Sequence, residues 1–88
     1  MPFFSIIIPS YNRAEYLPLT INSVQNQIFQ DWECIVVDDG SKVTVKPIVD
    51  EFNDERFVLL TFPENRGIPN GANAAYQLAS GEFIQTLG

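Results

Sequence analysis

Short β-branched runs, each closed by turn residues and followed by an apolar stripe at helical spacing, constrain this chain more than any other feature. The first run, Phe3-Phe4-Ser5-Ile6-Ile7-Ile8, stops at Pro9. It is nearly continuous rather than alternating, as expected of a strand buried on both faces. Pro9 has no N–H to give to a ladder and marks the strand's end. Leu17, Ile21, Val24 and Ile28 then recur in steps of four, three and four, which is one face of a helix. Asn12 and Glu15 stand three apart ahead of that stripe, as in a capping box. Pro18 falls in the first turns, where its missing donor costs least.

The pattern repeats. Ile35-Val36-Val37 reads as a second buried strand and ends in Asp38-Asp39-Gly40-Ser41, after which Val45, Ile48, Val49 and Phe52 form a second helical stripe. Phe57-Val58-Leu59-Leu60 is a third strand, closed by Pro63. A glycine-rich loop, Asn65-Arg66-Gly67-Ile68-Pro69-Asn70-Gly71, precedes an alanine-rich helix from Ala72 to Ala79, with Gly81 at the expected C-cap. Glu82-Phe83-Ile84-Gln85-Thr86-Leu87 supplies a fourth strand. The order β-α-β-α-β-α-β predicts an α/β fold, a Rossmann-like and mostly parallel sheet with helices on both faces. Such sheets bind ligands at the carboxyl ends of their strands, near a topological switch point. Three places qualify: Pro9 to Asn12, Asp38 to Ser41, and the loop that starts near Phe62.

Composition narrows the chemistry. At 88 residues the chain makes one small domain or part of a larger one, and 45% hydrophobic content suffices for a core. The formal charge of −6 argues against a nucleic-acid partner, which calls for a basic patch to neutralise phosphates. An acidic protein that holds an anionic nucleotide needs help, most often a divalent cation bridging carboxylates and phosphate. One cysteine, Cys34, allows no internal disulfide; within the apolar run it reads as a small buried hydrophobe. No histidine is present, so His-based triads are excluded here. No apolar stretch approaches the roughly 20 residues of a membrane helix. The first run has no basic residues before it and ends in Pro-Ser-Tyr-Asn, unlike a signal peptide, so a cytoplasmic location is expected.

Asp38 and Asp39 are the most informative pair, and two readings stand side by side. Ionised carboxylates at a strand end accept hydrogen bonds, and so could hold a base N–H, a ribose hydroxyl or a metal. Asp-Gly is equally ordinary turn chemistry, with Ser41 capping the next helix. Tyr11 could stack on a nucleobase or be a partly buried loop tyrosine. Gly67 and Gly71 precede a helix, but neither Gly-x-Gly-x-x-Gly nor a P-loop is present. Arg13 and Arg66 could meet phosphate or be solvated, and Trp32 is expected to cover the sheet edge.

In combination these segments are far more specific. Ser5-Ile6-Ile7-Ile8-Pro9-Ser10-Tyr11-Asn12-Arg13, the helix ending Ser23-Val24-Gln25-Asn26-Gln27, and Trp32-Glu33-Cys34-Ile35-Val36-Val37-Asp38-Asp39-Gly40-Ser41 resemble the opening of family 2 glycosyltransferases. Asn65-Arg66-Gly67 and Ala79-Ser80-Gly81-Glu82-Phe83-Ile84 resemble that family's next landmarks, in order. The resemblance implies the A-type glycosyltransferase fold and transfer of a sugar from a nucleoside diphosphate donor, UDP-linked, with inversion. It places Pro9 against the nucleotide through its backbone, Tyr11 against the base, Asp39 as acceptor from the base N–H, Asp38 as a brace for the turn, and Asn65 near the nucleoside. It implies a saccharide, lipid-linked or protein acceptor, peripheral membrane association on the cytoplasmic face, and Mg²⁺ or Mn²⁺ at the departing diphosphate.

Two departures qualify it. Gly71-Ala72-Asn73 stands where many members carry Ala-Arg-Asn, so that arginine is absent. The family's Asp-x-Asp metal motif follows the Gly-Glu-Phe-Ile strand, where this sequence reads Gln85-Thr86-Leu87-Gly88. Metal ligands and catalytic base are therefore expected beyond Gly88, and residues 1–88 are expected to bind donor without transferring sugar. Three other readings compete. A receiver-like Mg²⁺ domain lacks its later phosphoacceptor and partner lysine, and a nucleotidyltransferase lacks its glycine-rich loop after the first strand. A non-catalytic nucleotide-binding or interaction module stays open at this level.

Overall fold

The computed structural model describes residues 3–10, 15–40, 45–62 and 68–86, without the side chains of residues 39 and 68–72. Its elements are β1 (Phe4–Pro9), α1 (Leu17–Gln25), β2 (Trp32–Asp39), α2 (Lys46–Glu51), β3 (Phe57–Phe62), α3 (Ile68–Leu78) and β4 (Phe83–Thr86). The four strands form one sheet in the order β3-β2-β1-β4, every pair parallel. The register runs Phe4↔Trp32 to Pro9↔Val37 between β1 and β2, and Cys34↔Phe57 to Asp39↔Phe62 between β2 and β3. β4 pairs with β1 from Phe4↔Phe83 to Ile7↔Thr86.

Both faces are covered, as the near-continuous apolar runs require. On one face Ile6, Ile8, Cys34, Val36 and Phe57 pack against Leu17, Ile21 and Val24 of α1 and against Val45 and Val49 at α2. On the other, Ile7, Ile35 and Val37 meet Ala75 of α3, whose single methyl is fully buried. Cys34 is part of the first core at 0% exposure, and burial pushes its thiol up to about 12, so it stays protonated and inert. No helix among the described residues is long and apolar enough to cross a membrane.

Element boundaries depart from the sequence pattern in ways that have physical causes. The α1 stripe was expected to include Ile28, yet the helix stops at Gln25 and Ile28 is fully exposed. The Gln30 side-chain amide donates to the carbonyls of Gln25 and Gln27, satisfying acceptors a further helical turn would have used. At the other end Tyr16 is the N-cap and makes no side-chain capping bond, and Asn12 of the expected capping box lies outside the described residues. Helix α2 closes on Asn53 at φ 48°, a left-handed position that asparagine tolerates. Helix α3 starts at Ile68 rather than Ala72, so residues 68–71 of the expected loop are helical, with Pro69 in the first turn.

Trp32 covers no sheet edge. It opens the interior strand β2 at 3% exposure, edge-on to Phe57, with the Arg56 guanidinium 3.8 Å from its ring centroid. Arg56 also forks onto Asp54, through Nε to Oδ1 at 3.0 Å and an Nη to Oδ2 at 2.7 Å, and Gln25 Nε2 adds a bond at 3.2 Å. These bonds, Arg56's first, bring the Asp54 carboxyl down from 3.8 to about 2. A carboxyl depressed by folding adds stability that is present above its unfolded value and lost as pH falls through its folded one, here from 3.8 toward about 2. Asp54→Asn is therefore expected to lower Tm near neutrality, and to flatten its decline over that acid window relative to wild type. Parallel pH profiles would remove Asp54 from the acid response.

Candidate functional site

The parallel sheet brings the carboxyl ends of β1, β2 and β3 to one side. Pro9 ends β1 opposite Val37, so Asp38 and Asp39 lie one and two residues further along the neighbouring strand. Asp39 in turn pairs with Phe62, the last residue of β3. The chain then turns at Gly40 with φ 74°, a conformation that a side chain would strain. From β1 the chain crosses to β2 and β3 on one side, and after α3 it returns to β4 on the other. The direction of winding therefore reverses beside β1, a switch point of the kind that opens a ligand crevice.

Alternation along β2 puts Asp38 on the same face as Cys34 and Val36, towards α1 and α2. It is 2% exposed and engaged within the fold. Asp39 is described in its backbone only, while Tyr11, Asn65, Arg13 and Arg66 lie outside the described residues. Of the sequence-derived positions, the structure thus brings Pro9, Asp38 and Asp39 to adjoining strand ends.

Ser10 belongs to this cluster and was not singled out from sequence. It is 1% exposed, and its backbone N–H and its Oγ both donate to the Val37 carbonyl, each at 2.9 Å. That carbonyl immediately precedes Asp38, so the bonds fasten the exit of β1 to the aspartate-bearing end of β2. No local pattern could have signalled it, because the partner is a backbone atom 27 residues away.

The opposite pole of the sheet is a structural clasp. Ser5 Oγ donates to Glu33 Oε2 and accepts from Gly81 N–H at 2.8 Å, while Ser80 N–H reaches the same Glu33 oxygen at 2.6 Å. Burial raises the Glu33 carboxyl, but bonds from Ser5, Ser80 and Gly81 outweigh it and leave the group below its ordinary value. Gly81 is accordingly no left-handed C-cap: α3 ends at Leu78, and Gly81 lies where the chain presses against β1. An open groove lined by Gln30, Asp31, Trp32, Glu55 and Arg56 also sits at the amino ends of β2 and β3, away from Pro9 and Asp39. Among the described residues no cluster of three or more His, Cys, Asp or Glu could hold a metal ion, so no step through a metal follows from them.

A two-sided parallel sheet with an acidic pair and a switch point at its carboxyl end is the architecture in which α/β domains place ligands at their strand ends. Comparison with known proteins makes the class specific: residues 5–88 match glycosyl transferase family 2, and the chain belongs to that family. It is 41% identical over 83 residues to the Escherichia coli UDP-Glc:alpha-D-GlcNAc-diphosphoundecaprenol beta-1,3-glucosyltransferase WfgD, covering 94% of this chain and 33% of that one. The crystal structure of S. aureus TarS 1-349 in complex with UDP-GlcNAc superposes with a TM-score of 0.88 at 31% identity, covering 97% of this chain and 26% of the other. The mannosyltransferase PcManGT from Pyrobaculum calidifontis, in complex with GDP-Man and Mn2+, gives 0.85 at 25% identity, covering 94% and 26%. The fold is the A-type glycosyltransferase fold, and the chain spans about a third or less of the length of these relatives.

Proposed function

We propose that residues 1–88 form the donor-binding portion of an enzyme that transfers a sugar from a nucleoside diphosphate, with UDP as the carrier, to an acceptor hydroxyl with inversion. The observation that carries this reading is the meeting of Pro9 with Asp38–Asp39 at adjoining carboxyl ends beside the switch point. The UDP-GlcNAc complex of TarS, a protein of the same fold, supports the choice of nucleotide. Asp39 accepts from the base N–H, Tyr11 packs on the base and Asn65 lies by the nucleoside, while buried Asp38 braces the turn at Gly40. Mg²⁺ or Mn²⁺ accompanies the diphosphate, a choice supported by the Mn2+ complex of PcManGT, and its ligands and the general base come from outside the described residues. The undecaprenol-linked substrate in the name of WfgD supports a lipid-linked acceptor and a role in envelope polysaccharide assembly at the cytoplasmic face.

A hydrogen bond to a charged acceptor contributes about 1.5–3 kcal/mol, so Asp39→Ala is expected to weaken UDP binding by about ten- to a hundredfold. Titration calorimetry with UDP and Mn²⁺ reads this directly. Equal affinities in mutant and wild type would remove Asp39 from the site and with it the reading.

A further inference from the structure

We propose that Phe62 is a specificity-determining residue for the base of the nucleotide: it closes the β3 side of the position where Asp39 takes the base N–H, and narrows that space to the single ring of a pyrimidine. The proposal rests on the donor-binding reading given above. Asp39 and Phe62 are register partners at the carboxyl ends of β2 and β3. Neighbouring strands run about 4.8 Å apart, and alternation sets both positions on the α3 face, in line with Val37 and Leu60. Helix α3 seats Ala75 on Ile7, Ile35 and Val37, over β1 and β2. The edge strand β3 stays more open on that face: Val58 is 44% exposed, and Leu60 and Phe62 are only partly buried. Phe62 packs against the second core and is engaged within the fold, yet keeps part of its surface accessible at the strand end. No residue of β3, Phe57-Val58-Leu59-Leu60-Thr61-Phe62, is ionisable at neutral pH, so this side of the site selects by shape and apolar contact.

The test measures UDP and GDP affinities of variants of the intact protein, by calorimetry with Mn²⁺, together with Tm. Wild type is expected to prefer UDP. Phe62→Leu keeps an apolar side chain against the second core but removes the ring. It is expected to weaken UDP by about three- to tenfold without weakening GDP, so that the preference narrows by the same factor. Phe62→Tyr keeps the ring and is expected to keep the preference. Leu60→Ala, two residues back on the same face of β3, serves as the stability control. It is expected to lower Tm while leaving the UDP-to-GDP ratio as in wild type.

A wild-type ratio in Phe62→Leu, an equal change of ratio in Leu60→Ala, or a Phe62→Tyr that loses the preference as fully as Phe62→Leu would overturn the proposal. So would a wild-type protein that binds UDP and GDP alike. Asp39→Ala separates the two levels. Weak UDP binding there with an unchanged ratio in Phe62→Leu rejects the role of Phe62 alone, whereas normal UDP binding in Asp39→Ala rejects the nucleotide reading and this role together.

Discussion

Replacing Gly81 with valine is expected to detach β4 from the sheet and to cost about 3 kcal/mol or more, the upper range for overpacking. A Cβ at position 81 would lie 2.7 Å from the carbonyl carbon of Phe4, from the nitrogen of Ser5 and from Ser5 Oγ. Two of those three atoms are backbone, in a strand hydrogen-bonded on both sides, so they cannot retreat without breaking the β1 ladder with β2 or with β4. The third is Ser5 Oγ, which already accepts from Gly81 and donates to Glu33. Displacing it would disturb the bonds that hold Glu33 below its ordinary value. Even Gly81→Ala meets the clash, since it adds the very atom in question. Urea unfolding measures the loss; a midpoint equal to that of wild type would show that the approach of residue 81 to β1 is looser than described.

The second large effect separates two isoleucines that one sequence stripe treats alike. Ile21→Ala is expected to cost about 2–5 kcal/mol, because Ile21 is 0% exposed between α1 and the sheet and its removal leaves a cavity. A chain of this length has roughly 4–13 kcal/mol of total stability, so that single change brings it close to unfolding. Ile28→Ala, two steps further along the same pattern, is expected to stay within about 0.5 kcal/mol, because Ile28 is fully exposed beyond the helix end. Thermal melts of the two variants check this, and similar losses in both would contradict the early stop at Gln25.

That contrast marks what periodicity can and cannot convey. Steps of four and three identify the face of a helix, but its end is decided by who satisfies the last carbonyls. Here that is Gln30, a residue outside the stripe. Strand identity was legible from Ile6-Ile7-Ile8 and Ile35-Val36-Val37 because burial on both faces demands unbroken apolar runs. The first two residues of β2 were not, because Trp32-Glu33 joins a core ring to a carboxylate bound by Ser5 and Ser80 from other elements. Gly81 was legible as a constrained glycine and misread as a cap: the constraint comes from Phe4 and Ser5, some 76 residues away in sequence.

For the site, the strand-end rule located Pro9, Asp38 and Asp39 without any contact information, and parallel pairing brings these positions together. Ser10 escaped because its significance is the Val37 carbonyl across the sheet, and a serine after proline carries no such mark. The family resemblance assigned roles to Tyr11 and Asn65 on motif position, and these remain proposals about residues outside those described.

The central claim is that nucleotide binds at the carboxyl ends of β1 and β2. Titrating the ¹⁵N-labelled protein with UDP and Mg²⁺ and following backbone amide shifts tests it most directly. The account predicts that the largest shifts fall on Ser10, Asp38, Asp39 and Gly40, with Glu33 and Ser80 at the opposite pole unmoved. Shifts confined to the groove around Gln30, Trp32 and Arg56, with Ser10 and Asp39 unchanged, would contradict it.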